Sequence, residues 1–369
     1  MELRITPRDA ALGERSERAE IYADDGTRMS WAGIRTVRTR FADRWISGVC
    51  FGGVGTAPEY RRSGYVRRIF DDAFARSEKE AWTVALLHPF SFSYYRKFGF
   101  ERVCDHLIVT LPMTALSHIP RVSECKPLTE ARLPDVLRIF EDFAKYRNLT
   151  IARTDASRWD LSGKSLCYIW YRDGEPRAYV SYTTAKKYIE NHMGEGVLNV
   201  TELAFVDRES LWAILGFLRM YEGELETVRF NNVAAVPELE LTLREYLAEK
   251  LELVPDVAAR VLDTAALLDA NTYPKVRGMF TVRVNDTLPK VRGVWRVRYG
   301  GGGHTVERLP DAAACDLEMD AAAFTQTVYG YNALTAELAR YMEHVTLYTD
   351  AEDFFRAFPK RICGIFEHF

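Results

Sequence analysis

Residues 53–68 read Gly-Val-Gly-Thr-Ala-Pro-Glu-Tyr-Arg-Arg-Ser-Gly-Tyr-Val-Arg-Arg, with Arg61 and Arg62 directly ahead of Gly64. An apolar strand pattern ends there, a loop bends over Pro58, and a helical pattern begins at the glycine. The first turn of a helix leaves backbone N–H groups unpaired and carries partial positive charge. A pyrophosphate can accept those hydrogen bonds, and a glycine lets the backbone approach it without a Cβ in the way. Arg61 and Arg62 add charge for flanking phosphates. The competing reading is an ordinary strand–turn–helix with a solvated basic start. Basic residues oppose the field at a helix N-terminus, so an anionic ligand explains them better. A dinucleotide fingerprint needs Gly-x-Gly-x-x-Gly and a P-loop needs Gly-Lys-Ser/Thr, and neither occurs here.

Other chemistries find little support. The six cysteines (Cys50, Cys104, Cys125, Cys167, Cys315, Cys363) show no Cys-x-x-Cys and no histidine at zinc spacing, so they read as reduced thiols and no metal site is expected. There is no Gly-x-Ser-x-Gly elbow and no His-Glu-x-x-His. A net charge of -3 argues against a broad nucleic-acid footprint. The first residues lack the apolar run of a signal peptide, and no stretch approaches the roughly 20 apolar residues that span a bilayer. A cytoplasmic protein without nucleic-acid or membrane partners is the expectation.

The elements that must hold the turn follow from periodicity. Arg28–Phe41 reads as an antiparallel strand pair, and Ile46–Val54 as a third strand. The glycines at 48, 52 and 53 in that strand point to a bulge or a close backbone approach. Val66, Ile69, Phe70, Ala73 and Phe74 recur at helical spacing, giving a helix from Gly64 to about Glu80. Trp82–Leu87 is a buried strand, Tyr94–Phe98 a short helix or turn, and Phe100–Leu111 another strand. This is an α+β unit ending near residue 117.

A second unit runs over 118–256, with a helix at Leu128–Tyr146, a hairpin across Arg172–Pro176, a strand at Leu198–Phe205 and a helix at Ser210–Tyr221. It repeats the strand–helix order but has Val206-Asp207-Arg208-Glu209 where a phosphate cradle would stand. A third unit spans 257–369. It contains strands at Arg260–Asp263, Met279–Val284 and Gly293–Tyr299, a turn at Gly300–Gly303, helices at Asp320–Thr327, Asn332–Met342 and Ala351–Phe358, and an apolar terminus that should be docked.

Arg61-x-x-Gly64-x-Val66, preceded by Val54-Gly-Thr-Ala-Pro58, resembles the acetyl-CoA motif of the GNAT N-acetyltransferases. Val66 stands where the usual pattern has Gly or Ala, a departure tolerated in the Eis-like (enhanced intracellular survival) branch. Tyr95-Arg96-Lys97-Phe98-Gly99-Phe100 is similar to that branch's Tyr-x-x-Phe-Gly-aromatic signature. The resemblance covers nearly the whole chain. It implies an active N-terminal GNAT fold, a degenerate second one and a sterol-carrier-like C-terminal domain, assembled as a homo-oligomer with a hexamer as one candidate form.

By the same resemblance, the backbone of Val54 and Thr56 would pair with the pantetheine arm of acetyl-CoA as an added strand. Arg61, Arg62, Gly64 and Tyr65 would hold the pyrophosphate, and Ser91, Ser93 and Tyr94 would meet the lower part of the cofactor. Tyr95 would be the general acid, and Phe369 would supply a terminal carboxylate to the active site. His88 reads as structural, while Glu367 and His368 are candidates to line the acceptor pocket.

The implied function is acetyl transfer to a primary amine on a small polycationic, aminoglycoside-like molecule or on a lysine side chain. A carboxylate with a reference pKa of about 3.5 is a weak base for an ammonium near 10, so positioning with relay through water is favoured over direct proton abstraction. A lipid- or protein-binding module with a vestigial acetyl-CoA site is the alternative. A GNAT unit usually opens with a strand and one or two helices. Here about 19 polar residues precede the first hairpin, so those helices are reduced or the start lies upstream of Met1.

Overall fold

The computed structural model describes residues 1–8, 15–154, 159, 161–162, 164–189, 192–244, 250–332 and 334–369. From the N-terminus come β1 (Glu2–Arg8), β2 (Arg15–Tyr22), β3 (Arg28–Phe41), β4 (Arg44–Thr56), α1 (Tyr65–Glu80), β5 (Val84–Leu87), α2 (Phe92–Arg96) and β6 (Glu101–Pro112). Then follow β7 (Lys126–Pro127), α3 (Leu133–Ala144), β8 (Leu166–Arg172), β9 (Glu175–Ile189), β10 (His192–Phe205), α4 (Arg208–Leu218), β11 (Thr227–Phe230), α5 (Pro237–Thr242) and β12 (Lys250–Val261). The last part holds α6 (Thr264–Asp269), β13 (Gly278–Asn285), β14 (Gly293–Gly300), β15 (Gly303–Leu309), β16 (Leu317–Asp320), α7 (Ala321–Val328), α8 (Ala336–Ala339), β17 (Val345–Leu347) and α9 (Glu352–Ala357).

The chain packs as two compact units, one of Met1–Cys104, Asn148–Ala152 and Asp256–Phe369, the other of Asp105–Arg147 and Arg153–Pro255. In the first unit the strand order is β1-β2-β3-β4-β5-β12. Arg28–Phe41 is one 14-residue strand, not two. Its only glycine, Gly33, is flanked by Ala32 and Ile34 and forms no turn; the chain reverses at Ala42, whose φ is 51°. The polar N-terminal residues pair with β2 from Glu2–Tyr22 to Arg8–Ser16, and among the described residues no helix precedes β3.

Alternation along β3 separates two cores. Ala32 and Ile34 face α1, which buries Val66, Ile69, Phe70, Ala73 and Phe74 on the sheet. Phe51 meets Phe70 edge-on at 4.7 Å. Each buried Val, Ile or Phe of this set stabilises the fold by about 1.5–3 kcal/mol. Val37 and Phe41 point the other way, into a core shared with Phe324, Phe355 and Ile365. That core also takes in the β13–β17 region, a separate sheet ordered β15-β14-β13-β16-β17. Residues after α9 cross this face without regular structure, tied by Asn148 N–H to the Ile362 carbonyl (2.8 Å) and by Gly364 N–H to the Asn148 carbonyl (3.0 Å). The docked terminus is therefore held by main-chain bonds as well as by buried Ile365 and Phe366.

The second unit has the strand order β6-β11-β10-β9-β8-β7, with Val109–Pro112 of β6 paired to β11. Its first helix is shorter than expected, starting at Leu133 with Pro134 in the first turn, where a missing N–H costs nothing. Among the described residues of the span Asn332–Met342 the helix is the four-residue α8. All six cysteines are free thiols, and no helix among the described residues is long and apolar enough to cross a membrane.

Candidate active site

The site begins where two parallel strands part. The β4–β5 ladder runs from Gly48–Val84 to Phe51–Leu87 and stops, while β4 continues to Thr56. On the β3 side the register slips between Trp31 and Gly33, and Gly53 at the slip has φ 55°. That extra residue is a β-bulge, which bends the strand away from its neighbour. The glycines flagged in the sequence thus do both things expected of them: Gly53 makes the bulge and Gly52 admits a close approach.

A cleft of about 710 Å³ opens from the parting point. It is lined by Val54 and Thr56 of β4, by the Arg61–Gly64 turn and Tyr65, and by Tyr94 and Phe98. Ser30 accepts the role of anchor for β4, its hydroxyl donating to the Gly55 carbonyl and meeting the Thr56 hydroxyl, each at 2.9 Å. Gly64 is the N-cap of α1 rather than its first residue, with φ 80° and no side chain to satisfy the helix start. The first turn of α1 contains no acidic residue. Arg61, Arg62, Arg67 and Arg68 are all exposed around it, so positive charge and open N–H groups coincide.

The second unit shows the opposite arrangement. Asp207 caps α4, accepting from the Ser210 N–H at 2.8 Å, and Arg177 reaches the same carboxylate at 2.5 Å. Burial works against its ionisation, but Ser210 and Arg177 outweigh burial and hold the carboxyl down at about 2. The helix start that corresponds to the cradle is filled by the chain's own anion.

Ser91 caps α2, accepting from the Tyr94 N–H at 3.3 Å, and its hydroxyl lies 3.0 Å from that of Ser93. Neither serine is among the residues lining the cleft. Tyr95 packs among Tyr94, Phe70, Phe98 and Phe100 and is only 3% exposed. Burial pushes its hydroxyl up to about 12, and Tyr94 adds to the shift. Among the described residues nothing hydrogen-bonds that hydroxyl.

Phe369 ends against Gly52, where a Cβ would lie 2.5 Å from the Phe369 carbonyl oxygen and overlap its carbon. The ring of Phe369 sits 4.7 Å from that of His88. His88 follows β5 and bridges two acceptors, with Nδ1 2.8 Å from the Asp256 carboxylate and Nε2 3.1 Å from the Glu367 carbonyl. It therefore holds the last residues in place, a structural part of the kind read from the sequence. Glu367 is buried and accepts from the Phe366 N–H, and the His368 ring lies 5.2 Å from His88.

Sequence reading missed the partners that arrive from far along the chain. Arg260 donates to the Phe98 carbonyl and pairs with Asp286 at 2.8 and 3.0 Å. Gly99 has φ 79°, and a Cβ there would run into the Arg260 guanidinium, 2.8 Å from its Cζ. The glycine of the Tyr-x-x-Phe-Gly stretch is needed because this cation lies beneath it.

Residues 8–103 match one family described as an Acetyltransferase (GNAT) domain, and residues 147–261 match a second family of the same description. Together they cover more than half of the chain, which belongs to the GNAT acetyltransferases and carries two such domains in tandem. In fold it is Eis-like. Eis1 from Mycobacterium abscessus superposes over 98% of this chain and 93% of its own, with a TM-score of 0.77 at 17% identity. A GCN5-related N-acetyltransferase from Anabaena variabilis ATCC 29413 gives 0.80 over 95% and 89%, at 15% identity. A conserved protein of unknown function from Enterococcus faecalis V583, described as a probable N-acyltransferase, gives 0.79 over 96% and 89%, at 19% identity. No curated protein matches the sequence.

Proposed function

We propose that this acetyltransferase binds acetyl-CoA in the cleft between β4 and the start of α1 and moves the acetyl group to a primary amine. The observation that carries this reading is the continuity of the site. An uncompensated basic helix start opens onto a parted strand edge, and that edge leads back to Gly52, where Phe369 ends. Arg61, Arg62 and the N–H groups at Gly64 and Tyr65 suit a pyrophosphate, and the β4 edge at Val54 and Thr56 suits an extended amide-bearing arm.

Transfer forms a C–N bond at the thioester carbonyl and breaks the C–S bond, while a proton moves from nitrogen to sulfur. The carboxyl end of Phe369 would hold the amine, and the proton would leave through water, since a carboxylate is too weak a base to take it outright. Tyr95 would face the departing sulfur. With its hydroxyl near 12 it is a poorer acid than an ordinary thiol near 8.5, so its main contribution is a hydrogen bond to the developing thiolate. Positioning of the two reactants supplies more of the rate than either proton transfer.

The acceptors brought forward from the sequence are an aminoglycoside-like polycation and a lysine side chain. For 257–369 the sterol-carrier-like reading is supported by a separate sheet, β13–β17, that buries one face under α7 and α9. Calorimetry with acetyl-CoA, followed by an amine panel read by free thiol, tests the proposal. Binding in the micromolar range and thiol release are expected; no binding at millimolar concentration sinks it.

A further inference from the structure

Resting on the acetyl-transfer reading, the geometry points to an acceptor that carries an anionic group, a carboxylate or phosphate, on the same molecule as its amine. The ground for this is one cross-strand row. Arg18 of β2 pairs with Gly33 of β3, and Gly33 pairs with Gly52 of β4. Directly opposed residues share a face of the sheet, so the row runs from an arginine across two glycines to the carboxyl end of Phe369. The glycines leave a bare floor: a Cβ at Gly33 would meet only the Gly52 carbonyl, at 3.2 Å.

The two flanks of the floor differ. Trp31, two residues before Gly33, lies across Gly55 and carries Arg28 over its ring at 4.4 Å. Arg35, two residues after Gly33, pairs in register with Cys50. Its Nε is buried without a hydrogen-bond partner, and among the described residues no ion pair reaches its guanidinium.

Arg18 and Arg28 share a single carboxylate, Glu20, at 3.2 and 3.0 Å, and Tyr22 donates to it as well. Arg4, beyond them, is matched by Glu2. Arg35 and buried Glu367 act on the Cys50 thiol in opposite directions, so the Glu367 carboxylate offsets part of the Arg35 charge. That leaves the surplus of the Arg18–Arg28 pair, with Arg35 beside it, as the cationic end of the row, opposite an anionic end at Phe369. Neighbouring strands lie about 4.8 Å apart and alternate residues about 6.8 Å. An amine at Phe369 and an anion at Arg35 or Arg18 are therefore separated by roughly the length of a five-carbon chain. A polycation would meet arginines there and be disfavoured.

The test compares four amines of similar length with acetyl-CoA: aminopentanoate, aminobutyl phosphate, pentylamine and cadaverine. At least one anionic amine is expected to exceed cadaverine about tenfold in kcat/KM, since charge-assisted bonds to arginine are the strong ones; whichever is better names the anion. Arg35→Gln should cut that ratio several-fold through KM, Arg35→Lys should restore most of it, and Arg18→Gln provides an independent second variant. Cadaverine turned over as well as the anionic amines, or a ratio unmoved by both glutamine variants, overturns the inference alone. No thiol release from any of the four, with acetyl-CoA still bound, overturns the inference alone, whereas loss of acetyl-CoA binding itself overturns it together with the acetyl-transfer reading.

Discussion

The main-chain carboxyl end of Phe369 occupies the space that a side chain at residue 52 would fill, so Gly52 and Phe369 form a single seat. Gly52→Ala should push the last residues off the sheet. The expected result is a kcat about 10–100-fold lower with acetyl-CoA affinity changed less than about twofold, because the loss is one of reactant positioning. Removing Phe369 should do the same. Steady-state kinetics alongside calorimetry checks both, and a normal kcat in either variant rejects the role of the terminus.

Tyr95 makes a pH prediction. Burial raises its hydroxyl to about 12 from an unfolded value near 10, so the folded state binds this proton more tightly. The associated stability is fully present below about pH 10 and is lost as pH rises toward 12. Tyr95 accordingly stays a hydrogen-bond donor throughout the neutral range, and no alkaline loss of kcat assignable to it is expected below about pH 11. Tyr95→Phe should lower kcat by about 10–100-fold with little change in KM. Unchanged turnover would remove Tyr95 from the mechanism.

The turn bearing Tyr95 depends on Arg260. Arg260→Met leaves Asp286 buried without its cation and the Phe98 carbonyl without its donor, which should cost about 3–5 kcal/mol in chemical denaturation. Gly99→Ala should destabilise as well, through its positive φ and the collision with the guanidinium. A loss below about 1 kcal/mol for Arg260→Met would show that the pair is dispensable.

At the helix start, Arg61→Ala should weaken acetyl-CoA about tenfold and flatten the salt dependence of binding, since an exposed phosphate contact is screened by ions. An Ala at Gly64 should weaken binding too, because φ 80° is strained for any residue with a Cβ. Equal affinities at low and high salt for both wild type and Arg61→Ala would place the phosphates elsewhere.

What the sequence made legible was local. The period of α1, the bulge-prone glycines of β4 and the open turn at Gly64 each declare themselves within a dozen residues. The length of β3 was misread because nothing in Arg28–Phe41 contradicts strand pairing except the absence of a turn former. The start of β12 was not visible, since Leu251, Leu253 and Val254 are exposed and their pattern specifies no buried face. Asp256 and Arg260 were illegible for another reason. Their importance lies in what they touch, His88 and Phe98, and no local period encodes a partner 162 residues away.

The pairing of β5 with Ala258–Val261 has a consequence for synthesis. A nascent chain that has delivered only its first hundred residues presents β5 as an unpaired edge beside β4, with the Phe98 carbonyl lacking Arg260 and Gly52 bare. Open strand edges of this kind recruit other chains. Residues 8–103, though recognisable as a domain by sequence, are thus not a portable module. The ribosome must release the stretch from Asp256 onward before the sheet can close, so folding of this enzyme's first unit is completed after translation of its last.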